Sequence, residues 1–410
     1  QITRSLKTYG LKLERKPFCV TAEDERWVRL FYQSYFEEAY GGSLWPFTIS
    51  EKDLYCYVMR SSTDFDVVQD DRELIQHACL LMITCIRANQ GFILDRKIYD
   101  EPDDVIDQVI QMSEAYMTSL LKKTEYGLTD SWYREISRGV FYEFYNWDNP
   151  QQEVRIQTAV DKFLDKLVSG VNYRLPEEDR KKISQRMMHW YLSYAIYPYD
   201  RVVLRNESES SARNIRRLYP IFSKLVEVNL KEIENDCNFP WAQIREDDIL
   251  CLLLKDWSSL PQQLESLRRQ VTVLIISDRG LKHSHMLREI IKGQMLDKVV
   301  VDIFKSSVLF ITSTELECFH DYDIVVANNP IPDYQDENLL LVDNFMSEGD
   351  WNLLHQRVIR KQKQISDDYI HDLDINRLKS GREIYPQRKK AANFATFVME
   401  EDQPTEGFFD

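Results

Sequence analysis

The side chains with most scope for chemistry in this chain are histidines. His77 lies in Leu74-Ile75-Gln76-His77-Ala78-Cys79-Leu80-Leu81-Met82, and His189 in Ser184-Gln185-Arg186-Met187-Met188-His189-Trp190-Tyr191-Leu192. A neutral imidazole is a competent nucleophile near pH 7, and its phosphoramidate is labile, so a histidine on a helix face can carry a reversible phosphoryl mark. Helical spacing puts His77 on a face with Leu74, Ala78 and Leu81, and His189 on a face with Leu192 and Ile196. Taken from helix context alone, the pattern also suits a pair of half-buried core histidines. The two are 189 − 77 = 112 residues apart, about one domain length, and each follows an acidic segment with an arginine (Asp70-Asp71-Arg72; Glu177–Arg180). That spacing hints at tandem helical domains with an equivalent histidine in each.

The other candidates are weaker. His283-Ser284-His285 is an HxH pair at the start of a helix, but no carboxylate or third histidine is spaced to complete a metal site, so a solvated helix start is expected. His355 and His371 read as surface residues. The loop Ser277-Asp278-Arg279-Gly280 follows an apolar strand and precedes a helix, where α/β domains commonly bind ligands, yet its single glycine makes no nucleotide fingerprint. No Walker loop, nucleophile elbow, HExxH or Cys/His pair is present, so no catalytic residue, metal or cofactor is expected. Seven cysteines without a CxxC pair make a reduced pattern, neither a disulfide framework nor a zinc site.

Three kinds of segment must position these residues. Thr21-Ala22-Glu23-Asp24 resembles a capping box, and Trp27, Leu30, Phe31 and Tyr35 then follow at helical spacing to about Tyr40, with Gly41-Gly42 as the stop. Further helices are expected over 71–89, 102–123 and 131–145. A second helical block holds Gln152–Ser169, ending at Gly170, then 176–197, 212–237 with Pro220 as a kink or division, and 244–257. From Val271 the pattern changes to short β-branched runs: strands at Val271–Ile276, Val299–Phe304, Asp323–Ala327 and Leu339–Val342, alternating with helices at His283–Leu296 and from Glu348 to about Ile365. The expected class is mainly α, with two tandem helical bundles (21–148 and 149–262) and a small parallel-sheet α/β domain (268–370). Before them lies a stub (1–20) in which a helix, Ile2–Tyr9, stops at Gly10 and an extended piece follows. A polar tail (371–410) comes last.

Composition narrows the class further. Glycine is 12 of 410 residues and the formal charge is −15, which favours helix and leaves no overall basic field to capture nucleic acid. The longest apolar run, Ile249–Leu254, is core-sized, well short of a membrane span. The chain opens on Gln1 with a stub that cannot fold alone, so it is expected to be a fragment of a longer cytoplasmic protein.

The segment Val20–Tyr40, with Arg29-Leu30-Phe31-Tyr32 at its centre and Trp45-Pro46-Phe47 shortly after, resembles the opening of the first PTS regulation domain (PRD) in the Mga family of virulence regulators. The segments around His77 and His189 resemble the histidine segments of that family's first and second PRDs. Val271–Gly280 and Tyr322–Asn329 resemble its C-terminal domain, which is similar to the EIIB components of sugar phosphotransferase systems. The match reaches to about residue 370, and residues 1–9 resemble the end of the family's winged-helix region. Two departures stand out. Asp278 and Arg279 occupy the loop in which phosphocarrier EIIB domains hold a cysteine, with Cys318 far along the chain, and only one histidine is convincing in each helical block.

The resemblance implies a transcription regulator, an activator of virulence or carbon-metabolism genes. It would bind DNA through a helix-turn-helix region upstream of this chain, form a homodimer, and be phosphorylated on His77 and His189 by HPr of the phosphotransferase system. Two other readings stay open: an oligomerisation scaffold whose histidines are only core residues, and a phosphocarrier, against which the missing loop cysteine argues.

Overall fold

The computed structural model describes residues 2–40, 45–64, 71–95, 150–199 and 201–372, with 118, 122, 135, 136, 139, 140, 378, 379, 384 and 385. The helices expected over 102–123 and 131–145, the Gly41-Gly42 stop and most of the tail lie outside these residues. The fold is mainly helical with one small parallel sheet, and its contacts gather into two compact units: residues 1–165, 175–214 and 229–258, and residues 166–174, 215–228 and 259–410. No helix among the described residues is long and apolar enough to cross a membrane.

The first unit begins with α1 (Ile2–Lys7) and a hairpin of β1 (Lys12–Arg15) and β2 (Phe18–Thr21). The extended piece expected after Gly10 is thus two paired strands. Because Thr21 pairs with Lys12, the cap of α2 (Glu25–Tyr40) falls to Asp24, whose carboxylate accepts the Arg26 N–H at 2.8 Å. α2 packs on α4 (Asp71–Asn89), as does α3 (Glu51–Asp64). Leu30 of α2, Leu54, Tyr57 and Val58 of α3, and Ala78, Leu81 and Met82 of α4 form one core cluster. Each fully buried large apolar side chain there contributes ~1.5–3 kcal/mol. Beneath the helices runs a buried charge network. Arg29 pairs with Glu135 at 2.6 Å and with Glu25 at 3.4 Å, and Glu25 also pairs with Arg87 at 2.7 Å.

Later in the chain come α5 (Pro150–Val171), α6 (Glu177–Ile196), α7 (Glu207–Leu218), α8 (Pro220–Cys237), α9 (Trp241–Ile244) and α10 (Glu246–Asp256). Pro220 divides the expected 212–237 helix, standing at the first position of α8, where its missing N–H costs nothing. Gly170 does not stop α5. The helix continues to Val171, and Asn172 takes the left-handed conformation at φ 54°. Glycine is required at 170 for closeness instead: a Cβ there would lie 2.8 Å from a Leu225 methyl.

In the second unit, α11 (Leu260–Leu267) leads into β3 (Val271–Ile276), followed by α12 (Leu281–Met295), β4 (Val299–Ile303), α13 (Ser313–Phe319), β5 (Ile324–Ala327), β6 (Leu339–Leu341) and α14 (Glu348–Asp372). The strands are all parallel, in the order β4-β3-β5-β6. Period-2 alternation explains the unbroken apolar run of β3. Val271, Val273 and Ile275 face one cluster, with Leu287 and Ile291 of α12 and Leu354 and Val358 of α14. Leu274 and Ile276 face the other, with Phe319, Tyr322 and Tyr334. Since β4 lies on one side of β3 and β5 on the other, the connections diverge there, and the carboxyl ends of β3 and β5 flank the crevice where such sheets bind ligands.

Candidate functional sites

His77 sits on α4, 6% exposed, with Nδ1 2.9 Å from the Glu73 carbonyl oxygen. A carbonyl only accepts, so Nδ1 carries the ring proton in the neutral ring and the nucleophilic lone pair is on Nε2. His189 is half-buried on α6 in the same unit. Two polar bridges bring the helix turns of these histidines together. Glu73, one turn before His77, forms an ion pair with Arg186, one turn before His189. The second bridge starts beside His77: the Gln33 side chain donates to the Gln76 carbonyl at 2.9 Å and accepts from Arg201 at 2.7 Å, and Arg201 reaches Ser193, one turn past His189, at 3.1 Å. Both histidines singled out in the sequence are therefore bracketed by the same two bridges, each holding an arginine.

The network extends outward. Gln76 donates to Glu37 at 2.7 Å, and Glu37 and Glu207 both pair with Arg72. Glu38 accepts the backbone N–H groups of Val203, Leu204 and Arg205, which pins the segment that carries Arg201. The nearby thiol of Cys79 is not a rival nucleophile: burial, and then the Glu37 carboxylate, push it up to about 12.

A second polar constellation lies at the carboxyl edge of the sheet. Ser277 Oγ is 2.8 Å from His283 Nδ1, and His283 Nε2 is 2.7 Å from the Asn344 carbonyl oxygen. The Arg279 N–H donates to Ser277 Oγ at 3.0 Å, and Arg279 Nε donates to Asn344 Oδ1 at 2.9 Å. The amides of Asn328 and Asn329 both donate to Asp278. Hydrogen bonding from Asn328 first, then from Asn329 and the charge of Arg279, outweighs desolvation and lowers the Asp278 carboxyl from its ordinary value.

His283 is thus held on both ring nitrogens, where a solvated helix start was expected. His285 and His371 are exposed, while His355 is half-buried, not on the surface as expected. Among the described residues no group of three His, Cys, Asp or Glu side chains is placed to hold a metal. Sequence reasoning missed Arg186 and Arg201, and it placed Ser277 in a candidate ligand loop without its pairing to His283. Ser277 and His283 are six residues apart across a helix start, a spacing that marks nothing by itself, and Asn344 is 61 residues beyond His283. No protein-family model matches the chain, and no curated protein sequence matches it.

Proposed function

We propose that this chain is the regulatory part of a transcription regulator of the Mga type, controlled by phosphorylation of His77 and His189 by HPr. The observation that carries the reading is the bracketed pair itself: both histidines lie within a turn of the Glu73–Arg186 ion pair. A phosphoryl group brings nearly two negative charges to the ring that carries it. On His77 Nε2 it competes with the Glu73 carboxylate for Arg186, and on either ring it attracts Arg201. The α4–α6 contact then has two arrangements, one closed by Glu73–Arg186 and one closed by phosphate–arginine bonds, which are charge-assisted and bidentate. A coupling of ~1–3 kcal/mol, or ~5–150-fold in an equilibrium, is typical of such switches.

DNA contact is assigned to a helix-turn-helix region outside this chain, in keeping with the −15 charge. The regulator is read as a homodimer, since proteins that read two half-sites are commonly two-fold symmetric. The α/β domain is read as contributing to the interface. A fragment ending near Gln262 should then self-associate more weakly than the whole chain, and equal sedimentation of the two at one concentration would count against it.

One observation favours the scaffold reading: His77 is only 6% exposed, which hinders the approach of a phosphodonor to Nε2. Incubation with enzyme I, HPr and radiolabelled phosphoenolpyruvate separates the readings. Label on the chain that disappears in the His77→Ala/His189→Ala variant supports regulation; an unlabelled wild-type chain supports the scaffold.

A further inference from the structure

A serine hydroxyl is a weak nucleophile until a positioned base takes its proton. The hydrogen bonds at the carboxyl edge of the sheet fix such a relation. The Asn344 carbonyl only accepts, so His283 Nε2 carries the ring proton in the neutral ring. His283 Nδ1 therefore holds the lone pair, and at 2.8 Å it accepts the O–H of Ser277. An oxygen lone pair of Ser277 is taken by the Arg279 N–H at 3.0 Å, which leaves the hydroxyl proton directed at the imidazole. Nucleophile, base and orienting acceptor stand in the order that activates a serine in hydrolases of unrelated folds.

Two further features complete the arrangement. The N–H groups of Gly280, Leu281 and Lys282, at the start of the fifteen-residue α12, donate to no atom among the described residues. They form the positive end of the helix, three residues from the nucleophile, where negative charge developing on a carbonyl oxygen is stabilised. The site also lies where the strand order diverges, with Asn328 and Asn344 from the neighbouring connections holding Asp278 and Arg279 in place.

We propose that Ser277 is a nucleophile that accepts an acyl group from a small ester or thioester, with His283 as its general base. The Ser277 Oγ–carbon bond forms, the bond from carbon to the leaving oxygen or sulfur breaks, and the Oγ proton passes to His283 Nδ1 and on to the leaving group. Water, deprotonated at the same nitrogen, then releases the acid and restores the serine. Ser277 is 9% exposed and His283 half-buried, which limits the substrate to a small acyl group. This activity is independent of phosphorylation at His77 and His189.

The test treats the full chain with a fluorophosphonate, which forms an Oγ–phosphorus bond and expels fluoride, and reads the modified peptide by mass spectrometry. The expected result is modification of Ser277. His283→Gln keeps a donor to the Asn344 carbonyl but removes the base, and should slow modification ~100-fold or more, the usual scale of general-base catalysis. As a second reading, alkylation by iodoacetamide at position 277 is compared in Ser277→Cys with and without His283→Gln; the histidine should accelerate it. No modification of Ser277 in the wild-type chain, or equal rates with and without His283, would overturn the proposal and leave the cluster as a clamp between loops.

Discussion

The Glu73–Arg186 ion pair is the joint on which the regulatory reading turns, and its strength follows from burial. The Glu73 side chain is 11% exposed and that of Arg186 33%, so the carboxylate has given up far more water than the guanidinium. Breaking a fully buried pair costs ~3–5 kcal/mol, whereas an exposed pair contributes ~0–1 kcal/mol. This pair stands between, and Arg186→Met, which keeps the aliphatic stem but takes the guanidinium from the carboxylate, should cost about 2 kcal/mol. Glu73→Gln leaves a guanidinium that water still reaches, so about 1 kcal/mol is expected, and about 1.5 kcal/mol for the double variant. The coupling is then 2 + 1 − 1.5, or about 1.5 kcal/mol. A global melt is the wrong assay for a chain with two compact units. Amide hydrogen exchange reads the opening locally, and 2 kcal/mol corresponds to about 30-fold faster exchange in the turns 73–77 and 186–193. A coupling below about 0.3 kcal/mol, within the additivity of independent sites, would refute the idea that this pair closes the α4–α6 contact.

Other perturbations test the frame around the sites. Glu135→Ala removes the shortest partner of the fully buried Arg29, leaving Glu25 and the Phe92 carbonyl, and should destabilise the first unit by ~1–3 kcal/mol, read by amide hydrogen exchange in that unit. Gly10 has φ 71° and a Cβ there would lie 2.5 Å from the Tyr199 ring, so Gly10→Ala should cost more than the ~1 kcal/mol of a left-handed alanine, measured the same way. Asp278 titrates below its ordinary value, so its stabilisation is complete above the unfolded value of ~3.9 and lost as pH falls through the folded one. The 13C shift of the Asp278 carboxyl itself should therefore stay at its ionised value above about pH 4 and change only below it, and Asn328→Ala should raise the midpoint. Ile384 donates its N–H to the Gly170 carbonyl at 3.1 Å, and Tyr385 is buried. Tyr385→Ala should accordingly cost the second unit ~3 kcal/mol, read by amide hydrogen exchange in that unit.

Much of this architecture is legible in residue order because burial pattern and period agree. Asp71–Asn89 and Val271–Ile276 have the bounds that the sequence gives them, one a long apolar helix and the other a strand covered on both faces. Four elements escaped for different reasons. The β1–β2 hairpin is mostly exposed, so its residues carry no clear alternation. α3 does show Leu54, Tyr57 and Val58 at helical spacing, and α13 has the signature Thr312-x-x-Glu315, whose capping box forms in the structure. Both signals are present in the sequence but are diluted by polar neighbours. α11 was hidden because Pro261 reads as a connection, although it stands in the first turn of a helix. The histidines are visible as candidates, yet the link between their helix turns is not. It depends on the pair from Glu73 to Arg186 and on Gln33 and Arg201, 168 residues apart, and such long-range pairs leave no periodic trace.

The most direct measurement is site-resolved detection of phosphohistidine after incubation with enzyme I, HPr and phosphoenolpyruvate, using mass spectrometry for position and 31P NMR for the ring nitrogen. The account predicts phosphate on His77, attached at Nε2 because Nδ1 donates to the Glu73 carbonyl, and phosphate on His189, each lost with its own alanine variant. A chain that takes no phosphate at either histidine, or takes it at His77 through Nδ1, would contradict it.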